Sequence, residues 1–112
     1  MRAMLSRSRS TLVTTSLVVA ESHGLIVRRC GHAKGLDFLK ALDEPAAQRV
    51  VWADPELVRS ARANWITRHT DKLYSLTDAV SFEVMAREGI RDAFAFDLDF
   101  ERAGFRLLRE GR

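Results

Sequence analysis

At 112 residues, with 46% hydrophobic and 29% charged side chains, the chain is sized for one soluble globular domain, and no stretch is apolar enough to span a bilayer. A net charge of +3, from 18 basic and 15 acidic residues, suits a nucleic-acid partner without requiring one. The lone cysteine, Cys30, excludes an intramolecular disulfide framework, fits a reducing cytoplasm, and reads as a packed thiol near a helix end.

Residues 1–10 carry Arg2, Arg7 and Arg9 with no acid, and an apolar run follows, which is the outline of a targeting segment. Thr14, Thr15 and Ser16 interrupt that run, and hydrophobicity continues past Glu21, so a folded element is the better reading. Residues 12–15, Leu-Val-Thr-Thr, are short and β-prone and predict a strand. Ser16 is then a plausible N-cap for a helix over 17–29, with Arg28 and Arg29 suiting its C-terminal dipole and Gly31 its stop. A second helix over 33–42 carries Leu36, Leu39 and Leu42 and ends before Asp43-Glu44-Pro45.

Val50, Val51 and Trp52 predict a strand over 49–53. Asp54-Pro55-Glu56 starts a helix strongly, since an acid caps it, proline fits its first turn and a second acid favours its dipole. That helix is expected to run to about residue 69, burying Leu57, Val58, Ala61 and Trp65. Ser75 opens a helix over 75–88, apolar on most faces and therefore central. A strand over 93–96, a short helix over 100–103 and a last strand over 105–108 complete the chain. Strands alternating with helices predict a three-layer α/β/α fold with a largely parallel sheet.

In such a sheet, strand C-terminal ends and helix N-termini share one edge, which brings Glu21, Asp78 and Asp97 within reach of one point. Clustered carboxylates there suit a hard cation such as Mg²⁺. Each acid also has an ordinary structural reading. Glu21, set within an apolar helix, needs a cation or hydrogen bonds, or else a solvent-facing stripe. Ser75-Leu76-Thr77-Asp78 has the form of a capping box with aspartate in the last place. Asp97 and Asp99 flank Leu98 in what could be a turn. Asp71 and Asp99 are candidates for an outer ring of hydrogen-bond partners. Arg28, Arg29 and Lys72, with Lys34, Arg62 and Arg68, could form a phosphate-contacting rim or simply a solvated face. His23, His32 and His69 lack zinc-ligand spacing, and there is no P-loop or dinucleotide fingerprint.

Leu-Val-Thr-Thr-Ser at 12–16 with Glu21 after it, Tyr74-Ser75-Leu76-Thr77-Asp78-Ala79 with Ser81-Phe82, Phe96-Asp97, Phe100-Glu101 and Ala103-Gly104-Phe105 together resemble the PIN-domain family, VapC-like class. The resemblance covers about residues 12–108. It implies a Mg²⁺- or Mn²⁺-dependent endoribonuclease acting on single-stranded RNA, the toxin of a toxin–antitoxin pair, with Glu21, Asp78 and Asp97 as catalytic and metal-holding acids. RNA, a cognate antitoxin and a second copy of the chain are the partners it implies, with no membrane.

The family's pattern begins with a central strand that carries an aspartate. Here residues 1–10 match instead the helix that precedes the Leu-Val-Thr-Thr strand, so the first strand, first aspartate and first helix have no counterpart. The expectation is therefore an N-terminally shortened single PIN-like domain over residues 1–112, impaired as written. The alternative is a catalytically incomplete remnant that acts as a binding or regulatory protein.

Overall fold

The computed structural model describes residues 12–44, 48–94, 103 and 106–108. Residues 1–11, Asp97, Asp99 and the expected helix over 100–103, apart from Ala103, lie outside that set. In chain order the elements are β1 (Leu12–Thr15), α1 (Ser16–Cys30), α2 (His32–Leu42), β2 (Gln48–Val51), α3 (Pro55–Ala61), a π-helical turn (Arg62–Thr67), α4 (Leu76–Glu88), β3 (Asp92–Phe94) and β4 (Arg106–Leu108).

All pairing among the described strands is parallel, in keeping with the α/β class read from the sequence. It falls into two separate two-stranded sheets, β1 with β2 and β3 with β4, rather than one continuous sheet. Leu12 lies opposite Gln48 and Thr15 opposite Val51. This register places Val13 and Thr15, the two buried positions of β1, on one face.

Local chemistry explains the element ends. Thr15 rather than Ser16 caps α1, its Oγ1 accepting from the Val18 amide at 3.2 Å. This frees Ser16 Oγ to accept from the Ala53 amide at 2.9 Å, which ties the chain after β2 to the start of α1. Asp54 caps α3 as expected, accepting from the Leu57 amide at 2.8 Å, with Pro55 in the first turn. Gly89 ends α4 at φ +68, a left-handed conformation that favours glycine.

The long helix expected from Pro55 to about residue 69 is α-helical only to Ala61 and then widens into the π-helical turn. The extra residue in that turn lets two consecutive side chains, Asn64 and Trp65, reach the same oxygen on α4, Glu83 Oε1, at 3.0 and 3.2 Å. Trp65 stays half-buried, its ring 5.1 Å from that of Phe82, and Tyr74 approaches the other side of Phe82 at 5.0 Å. These edge and tilted contacts close the core around α4.

α4 is the centre of the molecule, and every residue from Thr77 to Met85 is buried. Val80, Phe82, Val84 and Met85 join Val13, Leu57, Ala61 and Tyr74 in the core. Glu83 is carried into this environment as well, at 7% exposure. Burial by itself raises its carboxyl pKa, but hydrogen bonds from Asn64, Arg87 and Trp65 outweigh that cost and hold it below the ordinary value. Arg87 also grips Glu56 on α3 through two hydrogen bonds at 2.9 and 2.7 Å. That fork, with a bond from Ser60, lowers the Glu56 carboxyl to about 2.

α1 and α2 cross closely at Gly35. A Cβ built there would lie 2.6 Å from Val27 Cγ2 and 3.1 Å from His23 Nε2. Cys30 is exposed at the end of α1, not packed as the sequence suggested.

Two predictions follow from these contacts. Gly35→Ala should destabilise the fold by about 1–2 kcal/mol, because Val27 is stiff at χ1 and the overlap exceeds the gain in helix propensity. Gly24→Ala meets only the mobile end of Arg28, at 3.4 Å, and should instead raise stability by up to about 1 kcal/mol. Denaturant melts of both variants check the opposite signs. Separately, Glu56 and Glu83 have lowered pKa values when folded, so their stabilisation is complete above the unfolded value near 4.5 and fades as pH falls. Stability should therefore drop from about pH 4.5 toward about 2, and Arg87→Met should flatten that limb in melts taken across the range.

Candidate active site

The site is built where the first turns of α1 meet the first turn of α4. Ser75 caps α4, its Oγ accepting from the Asp78 amide at 3.1 Å. The amide half of the expected capping box is thus present. The Asp78 side chain sits at 1% exposure in the first turn, where the helix dipole favours a negative charge.

Thr77, also buried, donates its hydroxyl proton to Glu21 Oε2 at 2.6 Å. This bond crosses from α4 to α1 and sets the Glu21 carboxylate next to the residue that precedes Asp78. Glu21 is exposed, which is the solvent-facing alternative that the sequence left open. Thr77 was not among the site residues expected from sequence, although its place beside the capping aspartate marks it. The bonded pair of Thr77 and Glu21 thus sets oxygen donors one residue along α4 from the buried Asp78.

Such donors are what a hard divalent cation takes, and Glu21, Asp78 and Thr77 fit one in ligand type. Among the described residues no three acids, histidines or cysteines converge tightly enough to hold a metal by themselves. Asp97 and Asp99 fall outside the described residues, so the third carboxylate expected from sequence is not placed here. Asp71 is exposed in the loop leading into α4, and Lys72 beside it is half-buried.

Arg28 and Arg29 are exposed on the last turn of α1. Arg28 lies seven residues, or about two helical turns, beyond Glu21, and hence on the same helix face. Its guanidinium folds back over Gly24, at ordinary contact distance from where a Cβ would stand. This gives a face that runs from an acid at the site to a cation beyond it. Leu73, 98% exposed, and Leu76 stand at the entrance to α4.

Sequence reasoning also passed over Glu83, which accepts from three different side chains. Its spacing of four from Arg87 was the available signal, but an i,i+4 pair ordinarily reads as surface decoration.

No protein-family model matches the chain. It is similar to the 23S rRNA-specific endonuclease VapC20 of Mycobacterium tuberculosis, found in two strains. The identity is 38% over 98 residues, covering 88% of this chain and 73% of that protein. Its structure is similar to the crystal structure of Mycobacterium tuberculosis VapC20, described as a sarcin–ricin-loop-cleaving toxin. The TM-score is 0.77 at 37% identity, covering 88% of this chain and 74% of that one.

The Thr77 bridge can be tested directly. Thr77→Val keeps the shape and removes the donor, and should cost about 1 kcal/mol of stability, at the modest end for a bond to a carboxylate because Glu21 faces water. Glu21→Gln should cost less, since the amide oxygen still accepts. A double-mutant cycle by chemical denaturation reads the coupling, and additive losses would mean that the two side chains are not bonded in solution.

Proposed function

The chain belongs to the PIN-domain, VapC-like family of ribonucleases, and from that membership we propose that it is a metal-dependent endoribonuclease acting on single-stranded RNA. The observation that supports this reading is the Thr77–Glu21 hydrogen bond, which ties Glu21 on α1 to the residue beside Asp78 on α4. Glu21, Asp78 and Asp97 would hold Mg²⁺ or Mn²⁺. When bound, the cation supplies an activated water and offsets charge that develops on the scissile phosphate.

The protein's own side chains do the rest. Thr77 fixes the rotamer of Glu21, and Ser75 fixes the first turn that carries Asp78. The N-terminal dipole of α4 lowers the cost of keeping Asp78 ionised while buried. Arg28 and Arg29, with Lys72, would contact phosphates beyond the acids and position a strand without reading its bases. Asp71 and Asp99 would serve by hydrogen-bonding the groups that hold the cation.

A protein antitoxin and a second copy of the chain are partners in the same reading, and an RNA substrate keeps the protein in the cytoplasm. No helix among the described residues is long and apolar enough to cross a membrane. Because the similar VapC20 is named for 23S rRNA and its sarcin–ricin loop, that loop is the first substrate to try.

The test is cleavage of a synthetic sarcin–ricin-loop RNA and of an unstructured RNA, with Mg²⁺ or Mn²⁺ and again after EDTA. Cleavage should require the cation, and Asp78→Asn and Glu21→Gln should each reduce it to background with weaker Mn²⁺ binding. Cleavage that survives EDTA would refute metal dependence. Unchanged Mn²⁺ affinity in Asp78→Asn, with about 1 kcal/mol less stability, would leave Asp78 only a helix-capping role.

A further inference from the structure

A cavity of about 630 Å³ opens between α1, α2 and β2, and neither Glu21 nor Thr77 lines it. Its volume suits a small organic group. Val19, Leu39, Leu42 and Val50 wall it with apolar surface. Trp52, directly after β2, borders it at 76% exposure and adds a broad aromatic plane that the core does not use. Two polar side chains, His23 and Asp43, complete the edge. An aromatic plane beside apolar walls, with hydrogen-bonding groups at the rim, is the chemistry that holds a flat heteroaromatic ring. Single-stranded RNA offers such rings, since its unstacked bases lie on aromatic side chains while their edges are read by polar ones.

The fold sets this cavity beside the acids. Thr15 pairs with Val51, so Ser16 at the start of α1 and Trp52 after β2 both stand at the carboxyl end of the parallel strands, where α/β ligands bind. Ala20 lines the cavity and is the chain neighbour of Glu21. A helix turns about 100° per residue, so cavity and acid occupy adjoining faces of α1. Arg28 reaches back to Gly24, the residue after His23, and brings a cation to the same stretch of helix. We propose that the cavity is a nucleobase subsite, in which an unstacked guanine of the RNA lies on Trp52, Asp43 accepts from its edge, and Arg28 meets a flanking phosphate. A carboxylate only accepts hydrogen bonds, and guanine alone among the four bases presents a ring N–H and an amino group side by side. This inference rests on the reading of the chain as an endoribonuclease, and deepens it by naming a base that the enzyme holds.

The experiment titrates the full chain in EDTA with the short RNAs UUGUU, UUAUU and UUCUU, following tryptophan fluorescence, and runs cleavage in Mn²⁺ beside it. UUGUU should bind most tightly and quench the emission. Trp52→Ala, which keeps Trp65, should lose the quench and bind about tenfold more weakly, while Trp52→Phe keeps most of the affinity. Asp43→Asn should bind UUAUU as wild type does and lose the preference for UUGUU. Both positions are exposed, so these variants should melt with wild type. The proposal is overturned if Trp52→Ala binds UUGUU as wild type does, or if Asp43→Asn keeps the preference. It is equally overturned if Trp52→Ala converts a wild-type dimer to a monomer in light scattering with RNA binding unchanged, for then a second copy covers the cavity. Wild type that binds UUGUU through Trp52 yet cleaves no RNA would sink the endoribonuclease reading and leave the subsite standing. Cleavage by Trp52→Ala equal to wild type at every RNA concentration would sink the subsite alone.

Discussion

The burial of α4 from Thr77 to Met85 is the constraint on which the remaining architecture depends. A helix hydrophobic all round can sit in a core at no polar cost, but this one carries Thr77, Asp78, Ser81 and Glu83 into the interior. Each of those groups loses water on folding, and an unpaired polar group in that setting is expensive. The neighbours of α4 are accordingly arranged around its polar atoms as much as around Phe82 and Met85. α1 supplies Glu21 to Thr77, and the π-helical turn supplies Asn64 and Trp65 to Glu83.

The two ends of α4 answer this constraint differently. Toward its C-terminal half, Glu83 is fully engaged, and Arg87 extends the network to Glu56 on α3. This end behaves as a clamp, holding α3 and the π-helical turn against the core at a fixed angle. Removing one partner from such a network strands the others, so its value lies in geometry more than in net energy. Toward the N-terminal end, Ser75 accepts from the Asp78 amide and Thr77 donates across to Glu21 on α1. The C-terminal clamp thus steadies the helix whose first turn carries Thr77 and Asp78.

The likeness to VapC20 bears on the fold, at a TM-score of 0.77. The physics supplies reasons that hold for this chain's own atoms. Ser75 spends a hydroxyl on the first turn of α4, Thr77 donates its own to Glu21, and Arg28 lies back along α1 over Gly24.

Much of this was legible in the amino-acid sequence, because it depends on short-range chemistry. The caps at Asp54 and Ser75, the stops at Gly31 and Gly89, the parallel α/β class and the central place of α4 all follow from a few neighbouring side chains and their periodicity. Glu21 and Asp78 could be singled out for the same reason, one by its apolar setting and the other by its place in a cap. Contacts between residues far apart in the chain were a different matter. The Thr77–Glu21 bond spans 56 positions, and the Arg87–Glu56 fork spans 31. No local pattern encodes which helix faces which. The widening of the helix after Ala61 was likewise invisible, since its residues favour an ordinary α-helix and only the demand of Glu83 for two donors favours the π-turn. Burial reversed the expectation of a packed Cys30 and decided between the two readings of Glu21 in favour of solvent, because exposure is fixed by what packs against a helix face and not by the residues beside it in the chain. Sequence determined the elements and the chemistry available on them, and the tertiary structure alone decided which of those groups would meet, because meeting depends on packing across the core.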